Sequence, residues 1–225
     1  TLKEGVREQQ SDHVGAVIGF KTTKGEIVHA KVASSFISFE QASLNLKELG
    51  SDNFDTLVQK GKDVWNKELS KIEVEGGTLD QYRTFYSCMY RSLLFPRKFY
   101  EVDKYGNIVH YSPYNGEVRR GYMYTDTGFW DTFRALFPFL NLMYPSVNKE
   151  IQEGLANSYE ESGFLPEWAS PGHRHCMVGN NSASVVADAY LKGCQTEKID
   201  LLYEAVLHGA NHVHPQVPST GRLGY

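Results

Sequence analysis

Helical periodicity is the feature that most constrains the fold of this 225-residue chain. Between residues 79 and 94, large apolar side chains recur every three or four positions, and the run stops before Pro96. This spacing predicts a helix with one wide apolar face. Similar patterns recur in GFWDTFRALFPFLNLM, SVNKEIQEGLANSYEES, SASVVADAYLKG and EKIDLLYEAVLHGAN. The chain is predicted to be mainly α, with helical hairpins arranged as in an α/α toroid, although an ordinary helical bundle has the same periodicity.

Start and stop signals set several helix boundaries. Ser38 is placed as the N-cap of a helical stretch that ends at Gly50, and Pro145 is placed at the start of another helix. Between residues 98 and 124, abundant Gly, Asn, Pro and Tyr predict a long loop with short strands. Loops of this length inside compact domains tend to be functional.

Two further caps concern the segments that carry candidate chemistry. Asp126 or Thr127 is expected to cap one continuous helix through GFWDTFRALFPFLNLM. Asn180 to Ser182 are expected to cap the helix that follows the proline-rich loop SGFLPEWASPGHRHCMVG.

The first part of the chain has the alternating pattern of strands instead. Residues 13–35 carry Val, Ile and Phe at near-alternate positions around the turn TKG, which predicts a β-hairpin. An isolated hairpin is marginal in water, so it is expected to belong to a larger sheet. The predicted organisation is the end of a β-domain over residues 1–37, a helical linker over 38–74, and a helical domain over 75–225.

Composition disfavours several function classes. The formal net charge is −4 and no run of Lys or Arg forms a basic stripe, so nucleic-acid binding is disfavoured. Three scattered cysteines are too few for a disulfide framework. No apolar run approaches the roughly 20 residues that a membrane-spanning helix needs.

Glu167 is the first candidate for chemistry. It stands between Pro166 and Trp168, so a stiff backbone holds a carboxyl group beside an apolar ring. Removal from water raises a carboxyl pKa and keeps the group protonated near neutral pH, as a general acid requires. The alternative is an ordinary surface glutamate in a turn, and the triplet alone leaves both interpretations open.

Trp130 and Asp131 are the second candidate, near the start of a predicted helix. An aromatic ring packs against the C–H surface of a sugar, while a neighbouring carboxylate accepts hydrogen bonds from its hydroxyl groups. A core Trp and a first-turn Asp favoured by the helix dipole would give the same sequence. Arg134, one turn further on, is expected to pair with Asp131 or with another carboxylate.

His173, His175 and Cys176 suggest a zinc site, because all three residue types bind zinc. Their spacing disagrees with the usual motifs, which separate paired ligands by at least two residues. A histidine that contacts a ligand is the preferred interpretation. Cys176 is expected to be packed in an apolar environment.

Three longer strings together resemble a known family. GYMYTDTGFWDTFRALFPFLNLMYP, SGFLPEWASPGHRHCMVGNNSASVVADAYLKG and NHVHPQVPSTGRLGY are similar to glycoside hydrolase family 92, the calcium-dependent exo-acting α-mannosidases. The resemblance extends from about Phe36 to the C-terminus. It implies part of an (α/α)6 catalytic toroid, preceded by a helical linker and the last strands of an N-terminal β-sandwich.

The resemblance also implies site residues. Glu167 matches the general acid of an inverting mechanism, and Trp130 and Asp131 match residues that grip the terminal mannose. Trp168 and His173 are expected to contact the substrate as well. A main-chain carbonyl near Ala169 or Ser170, most simply that of Ser170, is expected to meet Ca²⁺.

Other parts of the family pattern have no match in this sequence. The asparagine–glutamate calcium ligands and the general-base aspartate are expected beyond Tyr225. The chain is therefore expected to be an incomplete fragment, inactive alone, that needs the remainder of the same polypeptide. Its expected substrates are mannose-containing glycans, degraded in a bacterial periplasm, at the cell surface or after secretion. Two alternatives stay open: another (α/α)6 glycosidase, such as a trehalase- or glucoamylase-like enzyme, and a non-catalytic carbohydrate-binding or scaffold piece.

Overall fold

The computed structural model describes residues 4–218 and residue 220, which divide into two compact units. The first unit contains residues 4–32 and the second begins at residue 33. None of the helices in these described residues is long and apolar enough to cross a membrane. The predicted division at residues 37 and 74 stays a prediction.

The first unit forms the expected turn but not the expected strands. The backbone N–H of Glu26 donates to the Thr23 carbonyl at 3.1 Å, and Gly25 takes a positive φ of 87°. No strand is assigned among residues 4–35 of the described chain, so the hairpin predicted over residues 13–35 lacks its pairing. The physical reason is exposure: within the described residues, Val17, Ile18 and other apolar side chains of this segment remain largely exposed, and a hairpin that buries little is marginal in water.

Helix dominates the second unit, which confirms the predicted helical fold class. Its α-helices within the described residues are α1 (Phe39–Leu46), α2 (Phe54–Leu69), α3 (Leu79–Ser92), α4 (Phe129–Thr132), α5 (Leu136–Met143), α6 (Pro145–Ser162), α7 (Asn181–Leu191) and α8 (Ile199–Asn211).

Short strands interrupt the helices, most of them in the long loop predicted over residues 98–124. They are β1 (Arg97–Lys98), β2 (Glu101–Val102), β3 (Ile108–Tyr111), β4 (Val118–Arg120), β5 (Tyr124–Thr125), β6 (Thr127–Gly128) and β7 (Trp168–Ala169). All pair antiparallel, β1 with β5, β3 with both β2 and β4, and β6 with β7.

Several predicted boundaries are confirmed. The Ser38 side chain accepts a hydrogen bond from the backbone of Gln41 and so caps α1. After α1 a 3₁₀ turn, Lys47–Leu49, continues to Gly50, whose φ of 51° ends the helical stretch. Pro145 is the first residue of α6, where its missing N–H costs no hydrogen bond.

The helix expected over residues 128–143 is divided into α4 and α5, so the prediction of one helix is wrong. Neither Asp126 nor Thr127 caps it, because Gly128 is the N-cap residue and makes no side-chain hydrogen bond. Pro138 explains the division. A proline inside a helix removes one backbone bond and clashes with the carbonyl four residues earlier, but it is tolerated in the first turn. Restarting the helix at Leu136 places Pro138 in that first turn.

The core lies where α5, α6, α7 and α8 pack together. Phe137, Ile151, Leu155, Val185 and Leu202 are almost completely buried there. One side of α6 is buried although it is polar, and its Asn148 donates to Asn141 of α5, which in turn donates to Asp188 of α7. This buried network fixes the register of three helices, because each amide needs its partner once it is removed from water.

Candidate active site

A two-residue strand pair brings the two candidate segments together. Thr127 pairs with Ala169 and Gly128 with Trp168, and the backbone N–H of Phe129 donates to the carbonyl of Glu167 at 3.1 Å. The chain that carries Trp130 therefore lies directly beside the chain that carries Glu167. Both residues are predicted for the same site, and their segments are neighbours in the fold.

Glu167 is buried, with only 2% of its surface exposed. Its Oε2 accepts hydrogen bonds from the backbone N–H groups of Asn181 and Ser182, at 2.8 and 3.3 Å. Its Oε1 is 2.5 Å from the Ser182 hydroxyl oxygen. The interpretation of Glu167 as a surface glutamate is wrong, since the carboxyl group lies inside the protein at the start of α7.

The predicted cap of α7 needs a correction for the same reason. Asn180 occupies the N-cap position, but its side chain makes no capping hydrogen bond. Glu167 supplies the acceptor instead, from a loop earlier in the chain. A negatively charged group at this position is also favoured by the helix dipole.

Trp168 lies across the backbone of Gly128. A Cβ atom built on Gly128 would come within 2.1 and 2.2 Å of two ring atoms of Trp168 and within 2.9 Å of Met177. Only a glycine leaves room for the indole at this position. The expected contact of Trp168 with a substrate stays a prediction, and its packing against the backbone of β6 is an additional, structural role.

Trp130 and Asp131 are exposed at the start of α4. Trp130 keeps 42% of its surface exposed to solvent. The Asp131 carboxylate has no hydrogen bond or ion pair with any described residue. The pairing expected between Arg134 and a carboxylate is absent from the described part of the chain. Arg134 instead donates to the Trp130 carbonyl at 3.1 Å and lies over the rings of Phe133 and Trp130.

A cavity of about 180 Å³ opens beside Glu167, between α7 and α8. Its polar lining comes from Glu167, Asn180 and Ser182, and the rest is apolar. Trp130, Asp131 and His173 are not among its lining residues. The described residues therefore place the carboxyl group at a cavity and the Trp130–Asp131 pair on an adjacent exposed surface.

His173 is largely buried between the rings of Tyr114 and His214, with both ring centroids 4.8 Å away. Its Nε2 lies 2.9 Å from the Ser162 hydroxyl, which itself donates to a backbone carbonyl at 2.7 Å. Nε2 therefore carries a hydrogen, and Nδ1 is a buried acceptor without a hydrogen-bond partner among the described residues. Burial, with a smaller effect of His214, lowers the pKa of His173 to about 4.

We predict that protonation of His173 destabilises the fold in acid. The folded-state pKa of about 4 lies below the ordinary value of 6.5, so unfolding takes up a proton between these pH values. The free energy of unfolding should fall as the pH is lowered from 6.5 towards 4, by up to about 3 kcal/mol. Urea unfolding at a series of pH values measures this free energy. His173→Gln should lose most of this slope, and an unchanged slope would assign it to another group.

The zinc site is not supported by the described residues. No group of three or more His, Cys, Asp or Glu side chains among them is placed to hold a metal ion. His175 and Cys176 are both exposed. The expectation that Cys176 is packed is therefore wrong, because the loop that carries it lies on the surface of the second unit.

The carbonyl of Ser170, expected to meet Ca²⁺, has a different partner in this structure. It accepts a hydrogen bond from Nε of Arg174 at 2.9 Å. A guanidinium cation at that oxygen opposes a second cation, and Ca²⁺ requires six to eight oxygen ligands. The described residues do not by themselves form a calcium site at Ser170.

Sequence reasoning missed two residues that organise the site. The sequence predicts Ser182 only as part of a helix cap, but its hydroxyl contacts the candidate acid. Gly128 was not singled out, although the side chain of Trp168 requires it. The sequence offers only local signals for these two residues. Gly128 stands immediately before an aromatic pair, and Ser182 stands in the first turn of a helix.

Comparison with known proteins identifies the family of the chain. A model of the glycosyl hydrolase family 92 catalytic domain matches residues 41–225. A family 92 inverting mannosidase from Bacteroides thetaiotaomicron is 53% identical, with a TM-score of 0.81 over 84% of this chain and 26% of its own. A family 92 α-mannosidase from the same organism, in complex with mannoimidazole, is 30% identical, with a TM-score of 0.71 over 78% and 23%. An uncharacterised secreted glycosidase from Arthroderma benhamiae is 28% identical over 204 residues, 88% of this chain and 22% of its own.

The chain thus spans about a quarter of the length of these relatives. The helical fold agrees with its prediction as part of an (α/α)6 toroid. Because the family model covers residues 41–225, and the fold agrees with that of solved members, the chain belongs to glycosyl hydrolase family 92.

Proposed function

We propose that the protein containing this chain removes terminal α-linked mannose from glycans by a single inverting displacement. The observation that carries the proposal is the Glu167 carboxyl group, buried at the edge of a cavity and held by the first turn of α7. Further support comes from the solved inverting mannosidase that is 53% identical to this chain.

Glu167 acts in this proposal as the general acid. It donates its proton to the glycosidic oxygen while water attacks the anomeric carbon from the opposite face of the sugar. A general base must take a proton from that water, and the two carboxyl groups of inverting enzymes lie about 6.5–9.5 Å apart. We assign the base to a part of the protein outside these 225 residues, as the family resemblance implies.

Trp130 and Asp131 hold the sugar in the same proposal. Their exposure leaves the indole face and the carboxylate accessible, and Asp131 has no competing partner among the described residues. The ring would pack against C–H groups of the mannose, and the carboxylate would accept hydrogen bonds from two neighbouring hydroxyls. The contacts proposed for Trp168 and His173 rest on the resemblance alone.

Calcium dependence is also part of the proposal, and it too rests on the family resemblance. No group of three or more His, Cys, Asp or Glu side chains among the described residues is placed to hold the ion, and no step of the reaction is assigned to it. Besides the Ser170 carbonyl, which would have to exchange Arg174 for the ion, its ligands would come from outside the 225 residues. The secreted glycosidase among the relatives supports a proposed location outside the cytoplasm, and the periplasm or cell surface of a bacterium is the specific location that we propose.

We predict that the full-length protein hydrolyses α-mannosides and that the 225-residue chain alone does not. The chain lacks the proposed base, and inverting hydrolysis without it should be undetectable. NMR of the product measures the outcome, because inversion releases β-mannose first. EDTA should abolish the activity and added Ca²⁺ should restore it. α-Glucosides serve as the control substrate, and their preferential hydrolysis would favour a trehalase- or glucoamylase-like enzyme instead.

A further inference from the structure

Three hydrogen-bonding groups from the first turn of α7 surround the carboxyl group of Glu167. Two of them, the backbone N–H groups of Asn181 and Ser182, face Oε2. Backbone N–H groups can only donate, so the proton of the neutral acid cannot lie between them and Oε2. The contacts therefore assign the proton of the neutral acid to the other oxygen, Oε1.

The third group, the Ser182 hydroxyl, is the partner of Oε1. A hydroxyl rotates and can both accept and donate, unlike a backbone N–H. Ser182 is 1% exposed, so the rotation occurs without competition from bulk water. The same side chain can therefore remain hydrogen-bonded to Oε1 before and after the proton leaves.

We propose that Ser182 is a positioning residue for the general acid: it fixes Oε1 as the proton-bearing oxygen and stabilises that oxygen as it becomes negatively charged. The inference rests on the proposed function of Glu167. It adds a residue to the site that neither the family match nor the sequence patterns had identified.

Glu167 loses one proton in the step, and the leaving group gains it. The proton on Oε1 moves to the glycosidic oxygen as the bond from that oxygen to the anomeric carbon breaks, and the electron pair of the bond stays on the leaving oxygen. Negative charge then develops on the Glu167 carboxylate. Hydrogen bonds to an ionised acceptor are stronger than those to a neutral one, so the Ser182 contact strengthens along the reaction. Only interactions that strengthen in this way accelerate the step.

The test compares kcat and KM of the full-length Ser182→Ala variant with those of the wild type on two α-mannosides. One has a 2,4-dinitrophenyl leaving group, which departs without protonation, and the other has a sugar leaving group, which needs the acid. We expect kcat on the sugar-leaving substrate to fall about 10- to 100-fold, as for loss of a hydrogen bond to a charged group. Activity on the dinitrophenyl substrate should change little. KM should stay within about threefold on both, because Ser182 acts through Glu167.

Three controls separate this effect from misfolding. Ser158→Ala removes another buried serine hydroxyl, one that donates to the Gly154 carbonyl rather than to Glu167, and should show no leaving-group dependence. Ser182→Thr keeps a hydroxyl and should recover most of the lost kcat. Thermal unfolding midpoints of all variants show whether they fold. Equal losses by Ser182→Ala on both substrates, or a leaving-group effect in Ser158→Ala, would overturn the inference.

Glu167→Gln distinguishes failure of this inference from failure of the proposed function. If Glu167→Gln loses activity only on the sugar-leaving substrate and Ser182→Ala does not, Glu167 is the acid and the inference about Ser182 is wrong. If Glu167→Gln shows no leaving-group dependence, the acid assignment itself fails, and the inference fails with it. In a Glu167→Gln background, Ser182→Ala should cause no further leaving-group-dependent loss, since the proton it acts on is gone.

Discussion

Glu167→Gln in the full-length protein is expected to reduce kcat about 100- to 10,000-fold on α-mannosides with sugar leaving groups. Glutamine has no proton to donate to the glycosidic oxygen, whereas every other contact of the site is retained. On a 2,4-dinitrophenyl mannoside the loss should be much smaller, because that leaving group departs as a stable anion. Steady-state kinetics on both substrates measures the difference. Similar turnover by variant and wild type on the sugar-leaving substrate would contradict the acid role.

The fold should tolerate Glu167→Gln, because glutamine can make hydrogen bonds to the same groups of α7. The glutamine carbonyl oxygen can accept from the N–H groups of Asn181 and Ser182, while its NH₂ group donates to the Ser182 hydroxyl. Glu167→Ala is the informative comparison, because it leaves the buried donors of α7 without an acceptor. Each such donor costs about 1–3 kcal/mol, so Ala but not Gln should lower the free energy of unfolding by that amount or more.

The helical part of the fold was predictable because its signals are local. Ser38 and Gly50 mark the limits of one helical stretch, and Pro145 marks the start of α6, through backbone chemistry within a few residues. The division between α4 and α5 is also local, since Pro138 dictates it. The apolar periodicity continues through residues 133–135, so it gives no sign of the break.

The environment of Glu167 was not predictable from spacing. Its hydrogen-bonding partners lie after a loop rich in Gly and Pro, and only the folded loop brings the start of α7 to the carboxyl group. The sequence places the Trp168 ring next to that residue, and the structure shows the ring packed on Gly128. Glu167 is buried, as the general-acid interpretation requires, and its carboxylate accepts hydrogen bonds from α7. Sequence identified the residue, and tertiary structure supplied its partners.

The prediction of N-terminal strands was wrong because local alternation was present but burial was missing. Residues 13–35 have the alternation of strands, and local signals predicted the turn at Thr23 correctly. Pairing depends on neighbours that cover the apolar side chains, and Val17 and Ile18 keep about three quarters of their surface exposed. Alternation shows that a segment can form a strand, but burial against other strands decides whether it does.

Gly128→Ala should be strongly destabilising, since it places a methyl group in steric overlap with two ring atoms of Trp168. The backbone of Gly128 has an ordinary φ of −102°, so the cost is steric and not conformational. A Cβ atom would lie 2.1 Å from the ring, a distance that requires Trp168 to move. Overpacking of this kind costs about 1–3 kcal/mol, occasionally more. Urea unfolding measures the loss.

The same substitution should also reduce activity, which separates it from a general loss of stability. Gly128 pairs with Trp168, and the next residue donates to the Glu167 carbonyl, so a displaced Trp168 moves the acid with it. Gly61→Ala is the matched control: nothing lies within 4 Å of its added Cβ, and it stands inside α2. It should raise the free energy of unfolding by about 0.5–1 kcal/mol without changing kcat. If Gly128→Ala were as stable and active as the wild type, Trp168 could not be fixed where the structure has it, and the strand pair could not be what aligns Trp130 with Glu167.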